Sequence, residues 1–247
     1  MAFPRGADDH GDDRIVTPGA VFFDAGGTLV DPHPAFTDLL SRTLREEGFD
    51  VSPDEIAERL PLFAEHFDRA ARDGELWTTS DERSRAFWGG VYRALMTDLD
   101  LPFPDLLAER IYSVFTDPSN YRLFPDVVPV LEKLDESGIT MGVISNFERW
   151  LERLLDHLEV AAHFEIQVIS GVEGIEKPDP AIFLLALDRA CVDPAEAVYV
   201  GDNVTFDMEP ASSVGMHVVL IDRGERHADF PGPRITSLDE LPGMLGL

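Results

Sequence analysis

Beyond residue 120 the chain repeats one pattern: a short, almost wholly apolar run, a polar residue or two, then a stretch with helical spacing. The runs are ITMGVISN, IQVIS, AVYVGD and HVVLID, and VVPVLEKLDESG, WLERLLDHL, PAIFLLALDRA and ASSVG read as the helical stretches around them. A strand that is apolar on both faces must be covered on both faces. Strands that alternate with helices build βαβ units, so the pattern predicts a doubly wound, Rossmann-like parallel α/β sheet. The earlier run AVFFD, residues 20–24, has the same character and reads as a strand of that sheet.

Open parallel sheets bind their ligands beyond the carboxyl ends of the strands. That rule selects Asp24 after the first run, Ser145 and Asn146 after a second, and Asp202 with Asn203 after a third. Lys177, in GIEKPDPAIF, stands just before a helix expected to have Asp179 as its N-cap and Pro180 in its first turn. A single strand-end carboxylate is ordinary. Polar groups of these kinds at corresponding strand ends point to a site.

Between the first and second runs the texture is helical throughout. Phe36, Leu39, Leu40 and Leu44 form one apolar face, and Ile56, Leu60, Phe63 and Phe67 a second. Phe87, Trp88, Val91 and Leu95 form a third, and Leu107, Ile111, Val114 and Phe115 a fourth. Residues 32–119 are therefore expected to be a helical insert, with 18–31 and 120–247 as the α/β core. Residues 1–17, acidic and poor in large apolar side chains, are expected to be a disordered tail.

Composition narrows the function. The net charge is −27 and no basic cluster occurs, which argues against nucleic acid as a partner. Only Lys133 and Lys177 stand against eighteen arginines, a skew that fits an arginine-preferring genome at least as well as a salty cytoplasm. No apolar run approaches membrane-spanning length, and the N-terminus lacks the layout of a secretory signal, so no membrane partner and a cytoplasmic location are expected. Cys191, the single cysteine, is expected as a small core side chain. The seven histidines show no zinc-ligand pairing; His33, close behind the first run, reads either as a substitute acid or as a linker side chain. Trp77 and Trp88 read as insert core or as a substrate face.

FFDAGGTLV, VISN, the lysine of EKPDPAIF and GDNVTFD stand in the order and spacing of the four motifs of the haloacid dehalogenase superfamily, which the chain resembles from residue 18 onward. The insert lies where that family places its C1-type cap. The resemblance implies that Asp24 is a nucleophile forming an aspartyl-phosphate. It implies that Gly27, Thr28, Ser145 and Asn146 contact the phosphoryl group, and that Lys177 neutralises nucleophile and phosphoryl group alike. It also implies Mg²⁺ as cofactor, held by Asp24, the Gly26 carbonyl and Asp202, with Asp207 nearby. Carboxylates so converging repel one another without a cation, and hard oxygen ligands suit magnesium.

The sequence departs from the family at one position. Phosphatases of the family carry a second Asp two residues after the nucleophile, as general acid and then base, and here that residue is Gly26. Losing such a group costs roughly 10² to 10⁴ in rate. The expected function is a Mg²⁺-dependent phosphatase or phosphoryl-transfer enzyme on a small phosphorylated metabolite with a good leaving group. The alternatives are a catalytically weak binding or regulatory module and a metal-independent haloacid dehalogenase-type hydrolase. Phosphonoacetaldehyde hydrolase chemistry needs an insert lysine, and residues 32–119 contain none. P-type ATPases need membrane helices that this chain lacks.

Overall fold

Ala20, Val21, Phe22 and Phe23 have no solvent exposure, and they form β1 (Ala20–Phe23), a central strand of the structure. The structure is a computed structural model and describes residues 18–247; the expected tail, residues 1–17, lies outside the described residues. After β1 come β2 (Val30–Pro32), β3 (Tyr121–Leu123), β4 (Thr140–Ser145), β5 (Ile166–Ile169), β6 (Ala197–Gly201), β7 (His217–Ile221) and β8 (Arg234–Ile235). Six of them form one sheet in the order β5-β4-β1-β6-β7-β8, with every neighbouring pair parallel. Chain order reverses beside β1, so the crevice of this doubly wound sheet opens at its carboxyl end.

The alternation along β1 explains its apolar sequence. Val21 and Phe23 pack into one buried cluster with Val143, Leu151 and Val200, while Ala20 and Phe22 pack into another with Ile144, Phe183 and Tyr199. Full burial of a large apolar side chain contributes about 1.5–3 kcal/mol relative to exposure. A polar residue inside β1 would forfeit that on whichever face it met.

The insert leaves and rejoins the core through a second, two-stranded sheet, in which β2 pairs antiparallel with β3. Between them lie α1 (Phe36–Glu46), α2 (Pro53–Ala57), α3 (Leu60–Asp73), α4 (Asp81–Asp98) and α5 (Asp105–Phe115), with no strand among them. Their apolar faces make a core of their own, centred on Leu40, Leu44, Phe63, Trp77, Phe87 and Ile111. The face read as one helix from Ile56 to Phe67 is two helices. Ser52 and Glu55 form a capping box that starts α2, and Pro61 in the first turn of α3 has no N–H to continue the preceding helix. As a result Leu60 is exposed rather than part of a continuous apolar face.

The rest of the core adds α6 (Val127–Glu136), α7 (Trp150–His157), α8 (Ser170–Glu173), α9 (Ala181–Ala190), α10 (Glu209–Ser213) and α11 (Leu241–Met244). α9 starts one residue later than read: Asp179 Oδ1 still accepts the Ala181 N–H at 2.9 Å, but Pro180 is the boundary residue. Cys191 is not in the core. It is the left-handed C-cap of α9, with φ 53°, and it is exposed, because the left-handed turn there takes it off the apolar face of the helix. Among the described residues no helix is long and apolar enough to cross a membrane.

Candidate active site

Asp24 directly follows β1, Ser145 ends β4, and Asp202 directly follows β6; because all three strands run the same way, these side chains meet at one edge of the sheet. Asp24 Oδ1 accepts hydrogen bonds from Ser145 Oγ at 2.9 Å and from Lys177 Nζ at 2.7 Å. Lys177 Nζ also donates to Asp207 Oδ1 at 2.6 Å and to the Tyr199 hydroxyl at 3.1 Å. That hydroxyl in turn lies 2.9 Å from Asp207 Oδ1. The other oxygen of Asp207 accepts the Asn203 N–H at 3.0 Å. A buried ammonium is thus held between two buried carboxylates.

Local structure explains the spacing of the last motif. Asn203 Oδ1 accepts the N–H groups of Thr205 and Phe206, starting a π-helical turn, Val204–Met208, that swings Asp207 back beneath Lys177. Gly201 is needed there, because a Cβ at that position would lie 2.6 Å from Asp207 Cγ. Gly27 is needed for two reasons: its φ is +73°, and a Cβ on it would run into the Asp202 carboxylate, 2.9 Å from Cγ.

Thr28 lies away from where the motifs imply, and Asn146 has a further part. Asn146 clasps the Lys177 backbone, donating Nδ2 to its carbonyl at 2.8 Å and accepting its N–H on Oδ1 at 2.7 Å, so its side chain positions the lysine. Thr28 is fully buried and does not line the cavity above Asp24; among the described residues its hydroxyl finds no hydrogen-bond partner, while its carbonyl accepts from Arg223 at 2.9 Å. His33 is exposed and likewise lies off the cavity, whereas His227 lines it. Gly26 faces Phe147, whose ring edge is 3.4 Å from where a Cβ would sit, and no acidic side chain occupies that place.

The charges do not balance. Burial pushes the Asp24 carboxyl up, Lys177 opposes this and Asp207 adds to it, leaving Asp24 above the ordinary range. Asp202 is pushed up to about 8 by burial and by repulsion from Asp24 and Asp207. Burial works against the charge of Lys177, but Asp207 and Asp24 hold its ammonium well above the ordinary value. Oxygens of Asp24, Asp202 and Asp207 lie within 4.8 Å of one another. A carboxylate trio with one ammonium among them is short of positive charge, and a hard divalent cation with oxygen ligands fits that deficit.

Two carboxylates that the motifs did not single out join the sheet to the insert. Glu176, beside Lys177, accepts the Trp77 N–H, the Thr78 N–H at 2.8 Å and the Thr78 hydroxyl at 2.7 Å. Glu148, in the loop after β4, accepts the Ser84 hydroxyl at 2.5 Å and the Tyr112 hydroxyl. Both are buried, and burial raises both above the ordinary glutamate value. Their only sequence signal is adjacency to the motifs, since their partners lie 64 to 99 residues away, apart from Tyr112 at 36.

Comparison with known proteins shows the family of the chain. Residues 18–215 match the haloacid dehalogenase-like hydrolases. The chain is 31% identical over 237 residues to haloacid dehalogenase-like hydrolase domain-containing protein 3 of Danio rerio, covering 91% of this chain and 95% of that protein. It is 30% identical over 241 residues to a phosphoserine phosphatase of Thermus thermophilus, covering 90% and 96%. The crystal structure of a HAD phosphatase from Thermococcus onnurineus superposes with a TM-score of 0.60 at 28% identity, covering 92% and 97%.

Proposed function

The chain belongs to the haloacid dehalogenase-like hydrolases, and from that premise we propose that it is a Mg²⁺-dependent phosphatase or phosphoryl-transfer enzyme acting on a small phosphorylated compound through an aspartyl-phosphate at Asp24. The observation that carries this reading is the state of Asp24. Its carboxylate is held by Ser145 and Lys177 in the lining of a cavity, with the carboxylates of Asp202 and Asp207 converging on it.

In this reading Asp24 attacks phosphorus in line with the leaving oxygen. Ser145 and Lys177 hold a phosphoryl oxygen and offset its developing charge, and Asn146, Tyr199 and Asp207 keep Lys177 in place. Gly27 lets the backbone approach the phosphoryl group closely. Asp24, Asp202 and the Gly26 carbonyl would hold Mg²⁺, with Asp207 balancing charge behind them; bound there, the ion supplies positive charge against the carboxylates and the phosphoryl oxygens. The helical insert roofs Asp24 as a cap and excludes bulk water. With Gly26 in place of an acid, the leaving oxygen departs without a proton from the protein.

Hydrolysis of p-nitrophenyl phosphate by the purified chain, titrated with MgCl₂ and then with EDTA, tests the reading. Turnover should require Mg²⁺ and vanish in Asp24→Asn, and acid-quenched protein incubated with acetyl phosphate should carry phosphate on Asp24 by mass spectrometry. Metal-independent halide release from 2-chloropropionate would move the chain to the dehalogenases. Mg²⁺ binding with neither activity would make it a binding module.

A further inference from the structure

The cavity above Asp24 encloses about 660 Å³, and eleven of its thirty-one lining residues are Phe, Tyr or Trp. Phe67, Trp77, Trp88 and Tyr112 come from the insert, and Phe147 and Trp150 from the loop and helix after β4. They form two aromatic walls: on the insert side Phe67 meets Trp77 at 5.8 Å and Trp88 at 5.5 Å, and Trp88 stacks on Tyr92 at 5.8 Å, while on the core side Phe147 meets Trp150 edge-on at 5.1 Å. Such walls bind planar apolar groups by offset and edge-to-face contact.

Positive charge is scarce in that cavity. Among the described residues Lys177 is the one lysine or arginine lining it, and its ammonium is already held between Asp24 and Asp207. The nine arginines of residues 32–119 all lie off the cavity; Arg85, the one that approaches Tyr112, stacks over that ring at 3.9 Å and pairs with Glu109. Glu148 and Asp68 also line the cavity. A substrate with a carboxylate beside its phosphate would find no lysine or arginine but the engaged Lys177, with His227 as the one other cationic candidate in the lining and two acids nearby, which is costly.

Resting on the phosphohydrolase reading above, we propose that the substrate is a phosphate monoester of an aromatic alcohol of the phenol class, with no second anionic group. The walls alone would also admit a quaternary ammonium ester, because aromatic rings attract cations. Gly26 decides between them. An alkoxide leaving group needs a proton that no residue at position 26 supplies, whereas a phenol ionises at about 10, as tyrosine does, and leaves unprotonated. In the step, an Asp24 oxygen bonds to phosphorus, the bond from phosphorus to the aryl oxygen breaks, and its electron pair stays on the aryloxide, spread into the ring. Water then displaces Asp24 from phosphorus, giving inorganic phosphate, and the proton that water releases reaches the aryloxide through solvent.

Phenyl phosphate and 3-carboxyphenyl phosphate have nearly matched leaving groups and differ by one carboxylate. With Mg²⁺ present, kcat/KM should favour phenyl phosphate by roughly 10²-fold or more, and favour 2-naphthyl phosphate over phosphocholine by at least as much. Ala64→Arg, which places a guanidinium on the exposed insert helix at the cavity wall, should narrow the carboxylate penalty about tenfold. Independently of turnover, (2-naphthylmethyl)phosphonate should quench tryptophan fluorescence, and Trp88→Ala should weaken its binding about tenfold. Quenching without turnover of any phosphate would end the phosphohydrolase reading and the substrate assignment with it, leaving an aromatic binding site alone. Equal turnover of phenyl and 3-carboxyphenyl phosphates, a preference for phosphocholine, or no binding of the phosphonate would overturn the inference while Mg²⁺-dependent hydrolysis kept the phosphohydrolase reading intact.

Discussion

The Glu176 carboxylate lies 2.7 Å from the Thr78 hydroxyl and 2.8 Å from the Thr78 amide, joining the residue before Lys177 to the insert. Both residues are buried, and Glu176 also accepts the Trp77 amide. Glu176→Ala would leave those two N–H groups without acceptors, at about 1–3 kcal/mol each. The amides of Trp77 and Thr78 should then exchange at least tenfold faster in hydrogen-exchange mass spectrometry, while those of β1 keep their protection. Unchanged exchange at residues 77 and 78 would mean that this contact does not hold the insert down.

Glu148 predicts a pH dependence. Burial raises its carboxyl, so in the window from the ordinary value of 4.5 up to the raised value the folded state holds a proton that the unfolded state has released. Stability contributed by this group therefore falls as pH rises through that window. In Glu148→Gln the proton is gone but both hydroxyl partners, Ser84 and Tyr112, can rotate to suit an amide. The difference in melting temperature between parent and variant, followed from pH 4.5 upward, should shift in the variant's favour. A constant difference would contradict the assigned direction.

Gly26→Asp should restore an acid. Gly26 does not have the positive φ of Gly27, and a Cβ there makes ordinary contact with the Phe147 ring, so the variant should fold. Turnover of alkyl phosphates should rise by roughly 10- to 10³-fold, below the full general-acid range because Phe147 crowds the new carboxylate. Aryl phosphates should gain less. Steady-state kinetics on ethyl and phenyl phosphate, with a melting curve as control, check this.

Gly27→Ala tests the metal. The added methyl group would meet the Asp202 carboxylate and sit on a left-handed backbone, displacing a proposed ligand. Millimolar Mg²⁺ should raise the melting temperature of the parent by linkage and fail to raise that of Gly27→Ala or Asp202→Asn. Equal Mg²⁺ shifts in all three would remove Asp202 from the ligand set.

The features legible in the sequence are those with short-range causes. β1 reads as a buried strand because all four of its residues are apolar, and Asp24, Ser145 and Asp202 read as a group because parallel strands put their polar ends on one edge. Pro61 was a local signal as well, but the apolar spacing from Ile56 to Phe67 ran across it. The part of Asn146 was not legible, because its hydrogen bonds reach 31 residues along the chain to a backbone and follow no residue pattern. Glu148 and Glu176 were hidden for the same reason, and β2, β3 and β8 are too short to show a period.

Because β2 and β3 pair antiparallel, with Val30 opposite Leu123 and Pro32 opposite Tyr121, the ends of the insert lie side by side. Paired strands of this kind stand about 4.5–5.5 Å apart, a gap that a tight turn also bridges. To the sheet, the whole insert is therefore equivalent to a hairpin loop, and its length hardly enters the closure entropy. The reacting groups on β1, β4 and β6 can stay fixed while the helices above them are exchanged, so chemistry and substrate choice are free to diverge separately.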